Sequence, residues 1–80
     1  MRLPRDLSGA KPIERLKRLG YEVTRQSGSH IRPTSRTRGE HHVTIPNHDP
    51  LRIGTLAAIL DAVAAHHGLT RDDVLHRLFG

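Results

Sequence analysis

Three features of the 80-residue sequence predict an α+β fold. The expected order is α-β-β-β-α in two layers, with a three-stranded antiparallel sheet and a short C-terminal helix. Apolar residues recur at helical spacing towards both ends of the chain and alternate in the middle. The alternating stretches follow one another directly, separated by turn residues, which implies antiparallel pairing with helices on one face. The most apolar segment, residues 53–65, carries only Asp61 as a charge and must lie against another layer.

Residues 1–7 read as a flexible N-terminal arm, and residues 8–80 as a single domain. Ser8 is a candidate cap, and Pro12 suits a first helical turn, where its missing N–H costs least. Ile13, Leu16 and Leu19 form an apolar stripe that Gly20 ends. Tyr21 to Gln26 alternates, with Tyr21 and Val23 on one face. Ser27-Gly28 signals a turn, and Ser29 to Thr34 can return as a second strand. In that strand His30 and Arg32 share a face. Thr34 to Glu40 is polar and reads as an exposed loop. His41 to Ile45 is a third strand, ended by Pro46. Ile53, Leu56, Ala57, Leu60, Val63 and Ala64 fit one helical face, with Gly68 as the stop. Thr70-Arg71-Asp72-Asp73 resembles a capping box opening a last helix through Val74, Leu75, Leu78 and Phe79.

The net charge is +5, and it is unevenly placed. Residues 1–40 hold ten Lys or Arg against four acids, whereas residues 41–80 hold three Arg against four acids. A basic half on a small domain points to a polyanion, most simply nucleic acid. Lys11, Arg25, Arg32, Arg36 and Arg38 are candidate phosphate contacts, together with Arg15, Lys17 and Arg18. With Tyr21 and Phe79 as the only aromatics, a base-stacking platform is not expected. There is no cysteine, so neither a disulfide nor a thiolate metal site can form. The adjacent pairs His41-His42 and His66-His67 lack ligand spacing, so no metal or other cofactor is expected. No apolar run is long enough for a membrane span, and no apolar stretch follows the basic residues near Met1. The expected location is the cytoplasm.

Several blocks, in order, resemble one family. They are Ser8 to Gly20 followed by an aromatic, then Gly28-Ser29-His30, then Val43-Thr44-Ile45-Pro46-Asn47-His48, then Ile53-Gly54-Thr55-Leu56 with Ile59-Leu60. Together they resemble the HicA (YcfA-like) toxin family, and Gly68-Leu69-Thr70 with Asp72-Asp73-Val74-Leu75 resembles its C-terminal end. The resemblance covers about residues 8–78. Two departures are a longer, more basic loop at 34–41, and Ile31-Arg32-Pro33 after the histidine, where an aromatic is more usual. The resemblance implies a fold like the double-stranded RNA-binding domain. It also implies the toxin of a type II toxin–antitoxin pair, acting as an endoribonuclease (an mRNA interferase). Such a toxin would be a monomer when free and would join a HicB-like antitoxin in a hetero-oligomer.

The same resemblance makes His30 the catalytic residue. Metal-independent RNA cleavage needs a base for the ribose 2′-hydroxyl, an acid for the leaving 5′-oxygen and a cation for the pentavalent phosphorane. Histidine suits either proton-transfer role, with an ordinary pKa near 6.5. Gly28 and Ser29 would support it, Gly28 through a positive φ or close approach to phosphate, and Ser29 as a donor. His48 or His42 could be a second acid–base group. From the residues alone, His30 is more simply an exposed strand histidine without a role. A non-catalytic RNA-binding module on the same fold therefore stays open, as does a subunit that meets only an acidic protein.

Overall fold

A computed structural model describes residues 2–80. The first helix, α1 (Ala10–Arg15), starts at Gly9 without a side-chain cap. Ser8 gives only its carbonyl, which accepts from the Lys11 N–H at 3.1 Å. Pro12 falls in the first turn as its chemistry requires and is buried. A 3-10 turn, Leu16–Leu19, tightens the end, and Gly20 closes it at φ 84°. Gly9 is buried because the chain at Pro46–His48 passes directly over it. Its N–H donates to the His48 carbonyl at 2.8 Å. A Cβ at this position would meet the Pro46 carbonyl and Asn47 Cα.

Two strands, β1 (Glu22–Ser27) and β2 (His30–Ser35), form a hairpin closed by the pair Ser27–His30. The third strand is in two pieces, β3 (His41–His42) and β4 (Ile45–Pro46), both antiparallel to β2. The central strand is therefore β2, and it contains Pro33, which has no N–H for a ladder. The neighbouring strand accommodates this. The β1 register slips between Val23, opposite Pro33, and Arg25, opposite Arg32, leaving Thr24 as an additional residue. The Thr24 hydroxyl donates to the Arg32 carbonyl at 3.2 Å and lies 2.6 Å from the Thr34 hydroxyl.

Because β1 is an edge strand, its expected buried face is only half realised. Tyr21, just before the strand, is buried, whereas Val23 is 46% exposed. The second boundary to shift is the start of the polar loop. Thr34 and Ser35 belong to β2 and are buried, so the loop runs over residues 36–40. It is fastened at its far side: Nε2–H of His66 is shared between the carbonyls of Thr37 and Gly39, both at 3.1 Å.

The helix-facing side of the sheet contributes Ile31, Val43 and Ile45 to the core. Against it lies α2 (Ile53–His67), burying Leu56, Ile59, Leu60, Val63 and Ala64, and ending at Gly68 with φ 67°. The last helix, α3 (Arg71–Phe79), opens on a complete capping box between Thr70 and Asp73, a device worth about 1 kcal/mol. Its Val74, Leu75 and Leu78 are buried. Leu3 and Leu7, in the segment read as an arm, pack against the same core, and the Leu7 carbonyl accepts from the Leu51 N–H at 2.6 Å. Among the described residues no helix is long and apolar enough to cross a membrane.

Candidate nucleic-acid interface

The helices lie on one side of the sheet, with α3 packed against α1 and α2, and the other side is open to solvent around His30. The Gly28–Ser29 pair forms the tip of the β1–β2 hairpin, with Ser27 and His30 as the closing pair. Gly28 has φ 59°, while Ser29 keeps a negative φ. A positive φ at the first central position only is the pattern of a type II′ hairpin turn, which glycine satisfies without strain. A Cβ on Gly28 would meet nothing within 4 Å, so its backbone angle selects glycine there, and crowding does not. The turn delivers His30 to the start of β2, exposed and held on both sides by backbone pairing, with Ser27 on β1 and Pro46 on β4.

His30 lines a shallow groove with Arg25, Ser27, Arg32 and Thr44. Arg25 and Arg32 are direct cross-strand partners. Like charges placed opposite each other destabilise a strand pair, and no carboxylate lines this groove to offset them. The chemistry available is therefore an imidazole, two guanidinium groups and two hydroxyls over a few ångströms of open sheet. It suits a bound anion with a proton to be moved beside it.

The other expected site residues are spread more widely. The residue opposite His42 is Thr34, whose hydroxyl lies 2.7 Å from His42 Nδ1, and His42 Nε2 is 3.6 Å from the Glu40 carboxylate. Thr34 is four residues along β2 from His30, roughly 13 Å at 3.3 Å per residue. The His48 backbone caps the start of α1 through Gly9, and its exposed side chain is not part of the groove. Lys11 is half-buried on α1. Arg36 is exposed just past the far end of β2. Arg38, at φ 60°, donates to the carbonyl of His67 at 3.2 Å, at the end of α2. The loop that carries Arg36 and Arg38 thus stands at the opposite end of β2 from His30.

Arg15 and Arg18 also have structural work. Arg15 donates to the Leu78 carbonyl at 3.1 Å and lies over the Phe79 ring at 6.0 Å. Arg18 reaches the carbonyls of Arg77 and Leu78 at 3.2 and 3.3 Å. Lysine and arginine near helix C-termini satisfy orphan carbonyls in this way. Two groove residues, Ser27 and Thr44, were not singled out by the sequence. Alternation places Thr44 on the face opposite Val43 and Ile45, whereas Ser27 reaches this face through the slip at Thr24, and short hydroxyl residues carry no signal of their own. Among the described residues no three His, Asp or Glu side chains converge as metal ligands.

A comparison with protein-family models matches residues 9–64 to the family described as the HicA toxin of bacterial toxin–antitoxin systems. No curated protein matches the sequence, and no solved structure matches the chain. The matched segment contains the whole sheet, the Gly28-Ser29-His30 turn and most of α2.

Proposed function

The chain belongs to the HicA family of toxins of bacterial toxin–antitoxin systems, and from that premise and the groove we propose that it is a metal-independent endoribonuclease that cleaves mRNA in the cytoplasm. The observation that supports this reading is the uncompensated cross-strand pair Arg25 and Arg32 beside an exposed His30. The guanidinium groups hold the scissile phosphodiester, and their charge is worth most as the phosphorane forms. His30 takes the proton from the ribose 2′-hydroxyl, whose oxygen attacks phosphorus. The 5′-oxygen leaves and receives a proton from His30 or from water. The products are a 2′,3′-cyclic phosphate and a free 5′-hydroxyl. Gly28 sets the turn that aims His30, and Ser27, Ser29 and Thr44 offer hydroxyls to the phosphate oxygens. The natural silencing partner is a HicB-like antitoxin that forms a hetero-oligomer with the toxin.

The test is to incubate the purified protein with end-labelled RNA in EDTA. Cleavage by wild type, lost by a factor of at least about 10² in folded His30→Ala, is the expected result for removal of a general acid–base group. Loss of wild-type activity in EDTA with rescue by one metal would overturn the metal-independent mechanism. The groove holds no acid–base group besides His30, which favours as second reading a non-catalytic RNA-binding module. RNA retention without cleavage by wild type would establish it.

A further inference from the structure

A second basic pocket lies beyond the far end of β1. It is formed where the 3-10 turn after α1, the loop over residues 36–40 and the α2–α3 junction meet. Its walls include Arg18, Arg38, Arg77, Thr37 and His67, and no carboxylate. Two of the arginines are fixed by backbone carbonyls, Arg38 at the end of α2 and Arg18 at the end of α3. The Arg38 guanidinium also lies against Gly68 at the end of α2.

Helix-end capping does not exhaust these charges. A guanidinium carries five N–H donors, and each carbonyl contact uses only part of the set. Two helix C-termini supply roughly half a negative charge each, against three full positive charges in the pocket. Arg77 offers its carbonyl, and not its side chain, to Arg18. Asp73, one turn earlier on α3, takes part of the Arg77 charge, and the remaining surplus of more than about one positive charge matches a phosphate group. Because two of the three guanidinium groups are held by the fold, little side-chain freedom remains to be lost on binding.

The pocket is also placed on a path from the groove. The edge strand β1 connects the two and is exposed along its whole length. Its Arg25 lines the groove at one end, and Gly20, just before it, lines the pocket at the other. Lys17 lies against Val23 on the helix side of that edge, so a strand of RNA leaving the groove reaches the pocket by passing over the edge of β1. We propose that this pocket is a second phosphate site, which grips the RNA backbone about one strand length from His30. The inference rests on the RNA reading of the groove and adds a length requirement to it. The six residues of β1 span roughly 17 Å at about 3.3 Å per step, the length of about five stacked nucleotides. A trinucleotide held in the groove cannot reach the pocket, and a 12-mer can.

The experiment measures binding of fluorescent RNA to the cleavage-defective His30→Ala protein, with and without Arg77→Gln. Arg77→Gln should weaken a 12-mer roughly five- to tenfold at low salt and lower its salt slope by about 0.7, the value for one phosphate contact. The trinucleotide should bind both proteins equally. Equal affinity of both proteins for the 12-mer, or equal loss for both lengths, would overturn the proposal. So would a variant that keeps RNA but loses an acidic protein partner, because the pocket would then be a protein interface. Failure of the wild-type groove to bind the trinucleotide, tested separately with Arg32→Gln, would instead remove the RNA reading itself and this site with it. Independently of any variant, titrating the wild type with pyrophosphate should shift the side-chain Nε–H signals of Arg18, Arg38 and Arg77. Shifts confined to Arg25 and Arg32 would show that the pocket does not take phosphate.

Discussion

The Tyr21 hydroxyl lies 2.7 Å from Nδ1 of His41, a contact that ties β3 to the end of α1. The same hydroxyl lies 3.0 Å from Nε2 of His67, at the end of α2. Burial pushes the Tyr21 phenol up to about 12, so it keeps its proton. One phenol proton can serve only one of the two imidazoles. The other imidazole must donate to the phenol oxygen, and the first must leave its nitrogen bare. At least one of these histidines is therefore neutral in the intact cluster. His66 adds to the constraint by stacking on His41, with ring centroids 4.5 Å apart.

Acid should loosen this joint. Burial, followed by the neighbouring histidines, lowers the pKa of His41; burial, His66 and the Arg38 guanidinium lower that of His67. A histidine with a depressed folded pKa favours the neutral form. Its stabilisation is complete above the unfolded value of about 6.5 and is lost as pH falls below it. Thermal stability should drop between about pH 7.5 and 5, and His67→Asn should reduce the slope by up to about one proton. A flat melting temperature over that range would contradict this. The depressed carboxyls of Asp61, bonded to Arg71, and Asp73, bonded to the Thr70 N–H, act separately. Their loss begins only near their unfolded values, at about pH 4.

Two glycines should fail for opposite reasons. Gly28→Ala meets open space but must hold φ near 59°, a strain of about 1–2 kcal/mol. Gly9→Ala has an ordinary φ of −59° but drives a methyl into the Pro46 carbonyl, an overpacking of roughly 1–3 kcal/mol with loss of a backbone bond. Denaturant melts give the two costs. D-alanine, which holds a positive φ without strain, should restore stability at position 28 and not at position 9. Equal behaviour of the two D-alanine variants would refute this division.

The order of elements was legible because apolar spacing follows burial, and both faces of the sheet and helices obey it. Gly20 and Gly68 were legible as helix stops for the same local reason: both hold the positive φ that glycine allows. The division of the third strand was not. It depends on how Val43 and Thr44 pass the β2 segment around Pro33, a pairing between residues ten positions apart in the chain. At the site, the turn and the shared face of His30 and Arg32 followed from local alternation. The Arg25–Arg32 pair needed the cross-strand register, which a slip at Thr24 sets. The positions of Arg18 and Arg38 depended on helix ends 60 and 29 residues away, which charge counting cannot reach.

That cross-strand pair gives a prediction in which stability and function move apart. Replacing Arg25 by Glu converts a like-charge neighbour of Arg32 into an opposite-charge one. Stability should rise by about 0.2–1 kcal/mol, read as a higher denaturation midpoint. RNA binding should weaken, and the salt slope should fall by roughly 1.4 when both guanidinium contacts are lost to the new pair. A variant that is more stable and binds RNA as well as wild type would show that the groove does not hold phosphate.

Silencing should act at the same groove. An antitoxin that stops RNA cleavage most simply covers the groove around His30, whose Arg25 and Arg32 attract acidic protein and RNA alike. Partner and RNA should then compete for the open sheet face. Since exposed charges act mainly on encounter, Arg36→Glu, at the far end of β2, should slow partner association only slightly, whereas Arg32→Glu should slow it strongly. The measurement uses His30→Ala protein, a fluorescent trinucleotide confined to the groove, and the purified antitoxin. Competition appears as an apparent affinity for the trinucleotide that falls in proportion to free antitoxin. A ternary complex with unchanged trinucleotide affinity would place the antitoxin elsewhere. Inhibition would then have to work through the fold, and the hinge available to it is the joint at Tyr21, His41 and His67. In that case the inhibited complex should protect the backbone amides of β3 and the end of α2 from hydrogen exchange, while leaving those of the Gly28–Ser29 turn unprotected.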